Sequence, residues 1–168
     1  MKNIFLTGKI GIGKSAVLNK VLDSLPLSVG GFITVPVIEE NTLSGFKIRD
    51  IRTGSEAEVG YFDEDFMIHP VTEGFETVGV DSLDGALEYA DIIVMDELGF
   101  LENNAEGFKE KVFCALKSEK YVLGVIKRER NLFLNTVASM SEVIDVRLAN
   151  RDFLAEKIRR MINEESLR

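Results

Sequence analysis

The chain has 168 residues, 45% of them hydrophobic and 29% charged, which excludes a disordered, collagen-like or repetitive architecture. At about 150 residues per domain this points to one domain spanning residues 1–168. Its 20 Lys and Arg against 28 Asp and Glu leave a net charge of −8, so nucleic acid is a disfavoured partner.

One cysteine, Cys114, excludes an internal disulfide, and no Cys/His cluster exists to hold zinc. The opening apolar stretch, Ile4 to Leu6, is too short for a signal-peptide core. No apolar run approaches the ~18 residues of a membrane span. A soluble, cytoplasmic protein without a membrane partner is expected; the sequence leaves its oligomeric state open.

In chain order, Ile4-Phe5-Leu6 reads as a short buried strand ending at Thr7-Gly8. Val17, Leu18, Val21, Leu22 and Leu25 then recur at helical spacing, and Pro26 stops that helix. The segment 31–62 is strand-like, with a polar turn at Glu39-Glu40-Asn41-Thr42, and is expected to be a β-hairpin insertion. Residues 63–81 carry no readable period, Pro70 and several glycines interrupting it.

Ile92-Ile93-Val94-Met95 and Val122-Leu123-Gly124-Val125-Ile126 are continuous apolar runs, as strands covered on both faces require. Between them Phe108, Val112, Phe113 and Leu116 mark a helix face, on which Cys114 is expected to be core. Val143, Ile144 and Val146 suggest one more strand. Phe153, Leu154, Ile158, Met161 and Ile162 form a closing helical stripe that Asn150 is placed to cap. This alternation predicts an α/β fold, a mostly parallel central sheet with helices on both faces.

Gly8-Lys9-Ile10-Gly11-Ile12-Gly13-Lys14-Ser15 has the spacing G-x-x-x-x-G-K-[ST] between a strand and a helix. Glycines let the main chain curl so that several N–H groups converge on an anion. The helix start behind them, from Lys14 through Ala16, adds free donors and a positive dipole end. Lys14 brings a full charge to the β- and γ-phosphates, and the Ser15 hydroxyl is a hard oxygen ligand for Mg²⁺. Residues Gly8 to Ala16 are therefore the expected phosphate-binding stretch.

Asp96-Glu97 follows the second buried run, at the strand end where open α/β sheets bind their ligands, beside the phosphate loop if the two strands are neighbours. Asp96 is the candidate second ligand of the metal. Glu97 is the candidate that orients or deprotonates a water attacking the γ-phosphate. Asn19-Lys20-Val21-Leu22-Asp23 has the wrong spacing for a guanine-reading N-K-x-D motif. A nucleotide or small-molecule kinase is one alternative, against which the acidic character of 56–76 argues. The other is a nucleotide-dependent binding module with slow turnover.

With these motifs placed, the chain resembles the thermophile-type, or cancer-related, nucleoside-triphosphatase family of P-loop NTPases. Gly31-Phe32-Ile33-Thr34 and Gly45-Phe46-Lys47-Ile48 match its G-F-x-T and G-F-[KR]-I. Asp96-Glu97-Leu98-Gly99-Phe100-Leu101-Glu102 matches D-E-I-G-x-M-E, and Asn150-Arg151-Asp152 matches N-R-D. The resemblance implies a three-layer sandwich and Mg²⁺-dependent hydrolysis of nucleoside triphosphates, tolerant of the base. Leu98 and Leu101 stand for Ile and Met, Phe100 for a usual Lys, and Lys127-Arg128-Glu129-Arg130-Asn131 for a histidine-containing stretch.

Arg128 and Arg130 are candidates for stabilising charge on the γ-phosphate, with a solvated basic turn as the alternative. Asn150 and Arg151 are candidates for approaching base or ribose, against a plain helix start. Glu102 matches the signature but spacing gives it no role, and His69 beside Pro70 reads as structural.

Overall fold

The computed structural model describes residues 2–129 and 131–166. Its strands are β1 (Asn3–Thr7), β2 (Val29–Glu39), β3 (Thr42–Asp50), β4 (Glu56–Phe62), β5 (Ile68–Pro70), β6 (Ile92–Leu98), β7 (Tyr121–Ile126) and β8 (Glu142–Asp145). The helices are α1 (Lys14–Asp23), α2 (Thr72–Gly74), α3 (Val80–Tyr89), α4 (Glu106–Lys117), α5 (Leu132–Ser139) and α6 (Arg151–Ser166). Among the described residues the strands form one eight-stranded sheet in the order β5-β4-β3-β2-β6-β7-β1-β8. No described helix is long and apolar enough to cross a membrane.

Strands β2, β6, β7, β1 and β8 pair parallel with one another in that order, as strand–helix alternation requires. The continuous apolar runs of β1, β6 and β7 are buried because both faces are covered. Ile4, Leu6, Ile92 and Val94 face a core closed by Val17, Leu18 and Val21 of α1 and Leu154, Ile158 and Ile162 of α6. Phe5, Ile93 and Met95 face the opposite core, closed by residues of α3, α4 and α5. The expected three layers follow from this division.

The segment 31–62 differs from a simple hairpin insertion. The first half of β2 pairs parallel with β6, from Val29↔Ile92 to Ile33↔Asp96, so it belongs to the central sheet. Beyond it β2, β3, β4 and β5 continue antiparallel, turning at Glu40 and Asn41, both with positive φ as a tight hairpin demands. Residues 63–81 are unreadable by period because α2 passes through a π-helical turn, Phe75–Gly79, before α3 begins.

Three smaller expectations fail. Cys114 is exposed on α4 rather than in its buried face, and Phe153 is 73% exposed at the start of α6. Asn150 does not cap α6 with its side chain: Oδ1 accepts from the Arg147 amide and Nδ2 donates to the Asp145 carbonyl, closing the preceding turn. His69 pairs with Asp63 and stacks on Tyr61, a local structural role as expected.

Gly31 has φ of 100°, and a Cβ there would lie 2.2 Å from the Val94 carbonyl oxygen. The β2–β6 junction thus admits no side chain at this position. Gly31→Ala is expected to lower unfolding stability by at least about 2 kcal/mol, read from urea denaturation midpoints. An unchanged midpoint would show that the two strands are not this close.

Candidate functional site

The loop between β1 and α1 curls because Gly11 and Gly13 take φ of 75° and 100°, values that side-chain-bearing residues rarely adopt. Gly13 is the N-cap of α1, no side chain caps the helix, and its first turn holds no acid. The first amides are thus left without a protein acceptor at the positive end of a ten-residue helix. Lys14 Nζ folds back over the loop, donating to the Gly8 carbonyl at 3.2 Å and the Lys9 carbonyl at 3.1 Å.

Strand β7 lies between β1 and β6, so the strands carrying loop and acid pair are not neighbours, contrary to the condition set by the sequence. They meet through the helix instead. α1 packs against β7 and brings the Ser15 hydroxyl beside the Asp96 carboxyl. Burial, and secondarily the charge of Glu97, push that carboxyl up to about 6, while Ser15 and Lys14 pull the other way. Loop, lysine, hydroxyl and acid form one cluster.

Glu97 faces elsewhere. Asp96 pairs with Val125 and Leu98 with Ile126, so Glu97 is the extra residue of a bulge. Its amide donates to Thr34 Oγ1 at 3.1 Å. Its carboxylate stands 3.4 Å from Lys127 Nζ, an ion pair exposed enough to be worth at most about 1 kcal/mol. Glu97, Thr34, Phe46, Glu102 and Lys127 line a small cavity beyond the bulge.

Glu102 is 2% exposed and accepts a hydrogen bond from the Gly99 amide, pinning the turn that follows β6. Burial pushes its carboxyl up to about 7, against the pull of that amide and of Lys127. Arg128 pairs with Asp145, which also binds Arg147 at 2.7 Å. Because β1 lies between β7 and β8, the Arg128–Asp145 pair bridges the end of the strand that feeds the Gly8–Ser15 loop. Arg130 lies outside the described residues.

Arg151 packs its stem on the loop: a Cβ at Gly13 would lie 3.2 Å from Arg151 Cδ. Two residues near the acid pair escaped sequence reasoning. Thr34, the last residue of G-F-x-T, had a motif as its signal; Lys127 had only the missing histidine stretch.

Asp96 is held above its ordinary value, so folding disfavours its ionised form. The cost is absent below about pH 4, grows as pH rises, and is complete above about pH 6. In protein assayed without nucleotide, Asp96→Asn is expected to gain up to about 3 kcal/mol at pH 7.5 and almost nothing at pH 4. Urea denaturation at both pH values checks this; a pH-independent gain would refute it.

A family model described as NTPase matches residues 3–159. The nucleoside-triphosphatase THEP1 of Thermofilum pendens is 35% identical, the alignment covering 96% of this chain and 95% of that protein. The protein of the same name from Methanocaldococcus jannaschii is 33% identical, with 92% and 94% covered. Among solved structures, THEP1 from the hyperthermophile Aquifex aeolicus superposes with a TM-score of 0.76 at 22% identity, covering 93% of this chain and 96% of that one. A human cancer-related nucleoside triphosphatase gives 0.77 at 22% identity, with 98% of each chain covered. These two likenesses establish the fold. The family match over most of the length, joined to relatives above 30% identity, establishes that the chain belongs to the NTPase family.

Proposed function

We propose that the chain is a Mg²⁺-dependent nucleoside-triphosphatase that converts a triphosphate to the diphosphate and inorganic phosphate, with little regard for the base. The main support is the approach of Ser15 to Asp96 beside Lys14, two hard oxygens and one cation at the mouth of a phosphate-shaped loop. The donor set fits magnesium. Among the described residues no group of three or more His, Cys, Asp or Glu could hold a metal, and Mg²⁺ commonly takes one or two protein oxygens, completing its shell with phosphate and water.

Loop amides from Gly8 to Ala16 and the Lys14 ammonium bind the phosphates. Ser15 and Asp96 would hold the metal, which would supply positive charge against the phosphates. Glu97 takes a proton from water as its oxygen attacks the γ-phosphorus. The bond from that phosphorus to the bridging oxygen breaks, and the diphosphate leaves.

Base tolerance draws support from the turn beside the loop, where Asn150 spends both ends of its amide on Arg147 and Asp145. Leu148 is 72% exposed there. Such a surface offers apolar contact rather than hydrogen-bonded readout. Against a kinase, residues 56–62 and 68–70 lie in the sheet as β4 and β5, not as an arginine-bearing lid.

Glu97→Gln is expected to keep triphosphate binding while phosphate release falls at least ~100-fold; unchanged turnover would remove Glu97 from the mechanism. Lys14→Ala should weaken binding itself, read by calorimetry. With ATP, GTP, CTP and UTP, kcat/KM values should agree within about tenfold and vanish on chelating Mg²⁺. A single preferred base would contradict the proposed tolerance.

A further inference from the structure

Resting on that proposed hydrolysis, we infer that Lys127 is a second phosphate-binding cation: its ammonium turns from Glu97 to the γ-phosphate of a bound triphosphate, leaving Glu97 to accept the proton of the attacking water. Four observations place the side chain for this. The Lys127 amide donates to the Leu98 carbonyl at 2.9 Å, fixing the end of β7 to the end of β6. The stem lies along Gly99, where a Cβ would come within 2.9 Å of Lys127 Cδ. The ammonium stands 5.6 Å from the centre of the Phe100 ring. It pairs with Glu97 at 3.4 Å, one residue beyond the acid that meets Ser15.

Lys127 Nζ, reaching over from the end of β7, sits over the ring of Phe100 in the turn that follows β6. Gly99 is what makes room for it. A solvated lysine would need neither the bare glycine nor the aromatic face.

The charge balance explains the timing. Lys127 enters a cavity lined by Glu97 and Glu102 and pairs there with Glu97; a terminal phosphate bound at Lys14 and Ser15 carries more negative charge than that one carboxylate and draws the ammonium from it. The Glu97 pair is partly exposed on both sides, hence weak enough to break. While it persists, the Glu97 carboxylate faces Lys127 rather than an attacking water. One movement therefore does two things: it neutralises charge developing on the transferred phosphoryl group and releases the base.

Binding to triphosphate and diphosphate separates this role from a merely structural one. Calorimetry with Mg²⁺ would compare the β,γ-imido analogue of ATP with ADP, for the parent protein, Lys127→Gln and Lys127→Arg. The Gln variant is expected to lose roughly tenfold or more in affinity for the imido analogue, with ADP affinity within about twofold of the parent. The Arg variant should keep most of the preference. Lys127→Met, which preserves the stem on Gly99, replaces Gln if that variant does not fold. An unchanged triphosphate-to-diphosphate ratio in Gln or Met, or equal weakening of both ligands, would overturn the role of Lys127 while leaving the proposed hydrolysis standing. A parent protein that binds neither nucleotide would overturn both.

Discussion

A carboxylate drawn out of water beside a hydroxyl and an ammonium is the constraint around which this molecule is arranged. Asp96 is pushed toward its neutral form by burial, and only Ser15 and Lys14 favour its charge. Both come from the first turn of α1, so the helix must cross the intervening strand at one height. The apolar contacts of Val17, Leu18 and Val21 with Ile92, Val94, Leu123 and Val125 set that height. Core packing and site geometry are therefore a single problem: a shift of α1 along the sheet would strand the acid without its partners.

The bulge at Glu97 is the second device. A regular strand would place neighbouring side chains on opposite faces and carry the ladder straight on. The extra residue interrupts the ladder where β6 ends. Asp96 stays with the loop while Glu97 meets Lys127 and receives the support of Thr34 through its amide. Glu102 then holds the following turn by a bond to Gly99. Two consecutive acids thus occupy different environments, one buried beside Ser15 and Lys14 and one paired with Lys127.

Much of the fold was legible because buried parallel strands and glycine-rich loops write themselves in consecutive residues. Ile4-Phe5-Leu6 and Ile92 to Met95 are fully covered as their composition demands, and the spacing from Gly8 to Ser15 specifies one backbone path. What escaped depends on contacts between segments distant in sequence. Lys127 gains its place from Gly99, Phe100 and Glu97, none of which its own neighbours announce. Asn150 looked like a cap because its type suits one, yet the turn behind it offered both a donor and an acceptor first. Phe153 and Cys114 fell on helical stripes whose phase is set by neighbours; the structure puts both in solvent. The π-helical turn at Phe75–Gly79 shifts the helical phase there, so a period of 3.6 could not find it.

The ends of the sheet have a consequence for how the molecule behaves in a crowd. Its outermost strands are only three and four residues long, β5 and β8, and β5 ends in Pro70, which has no amide hydrogen to offer a neighbour. An intruding chain finds no extended row of unpaired donors along either border. Concentrated protein is thereby protected from growing outward strand upon strand into fibrous aggregates.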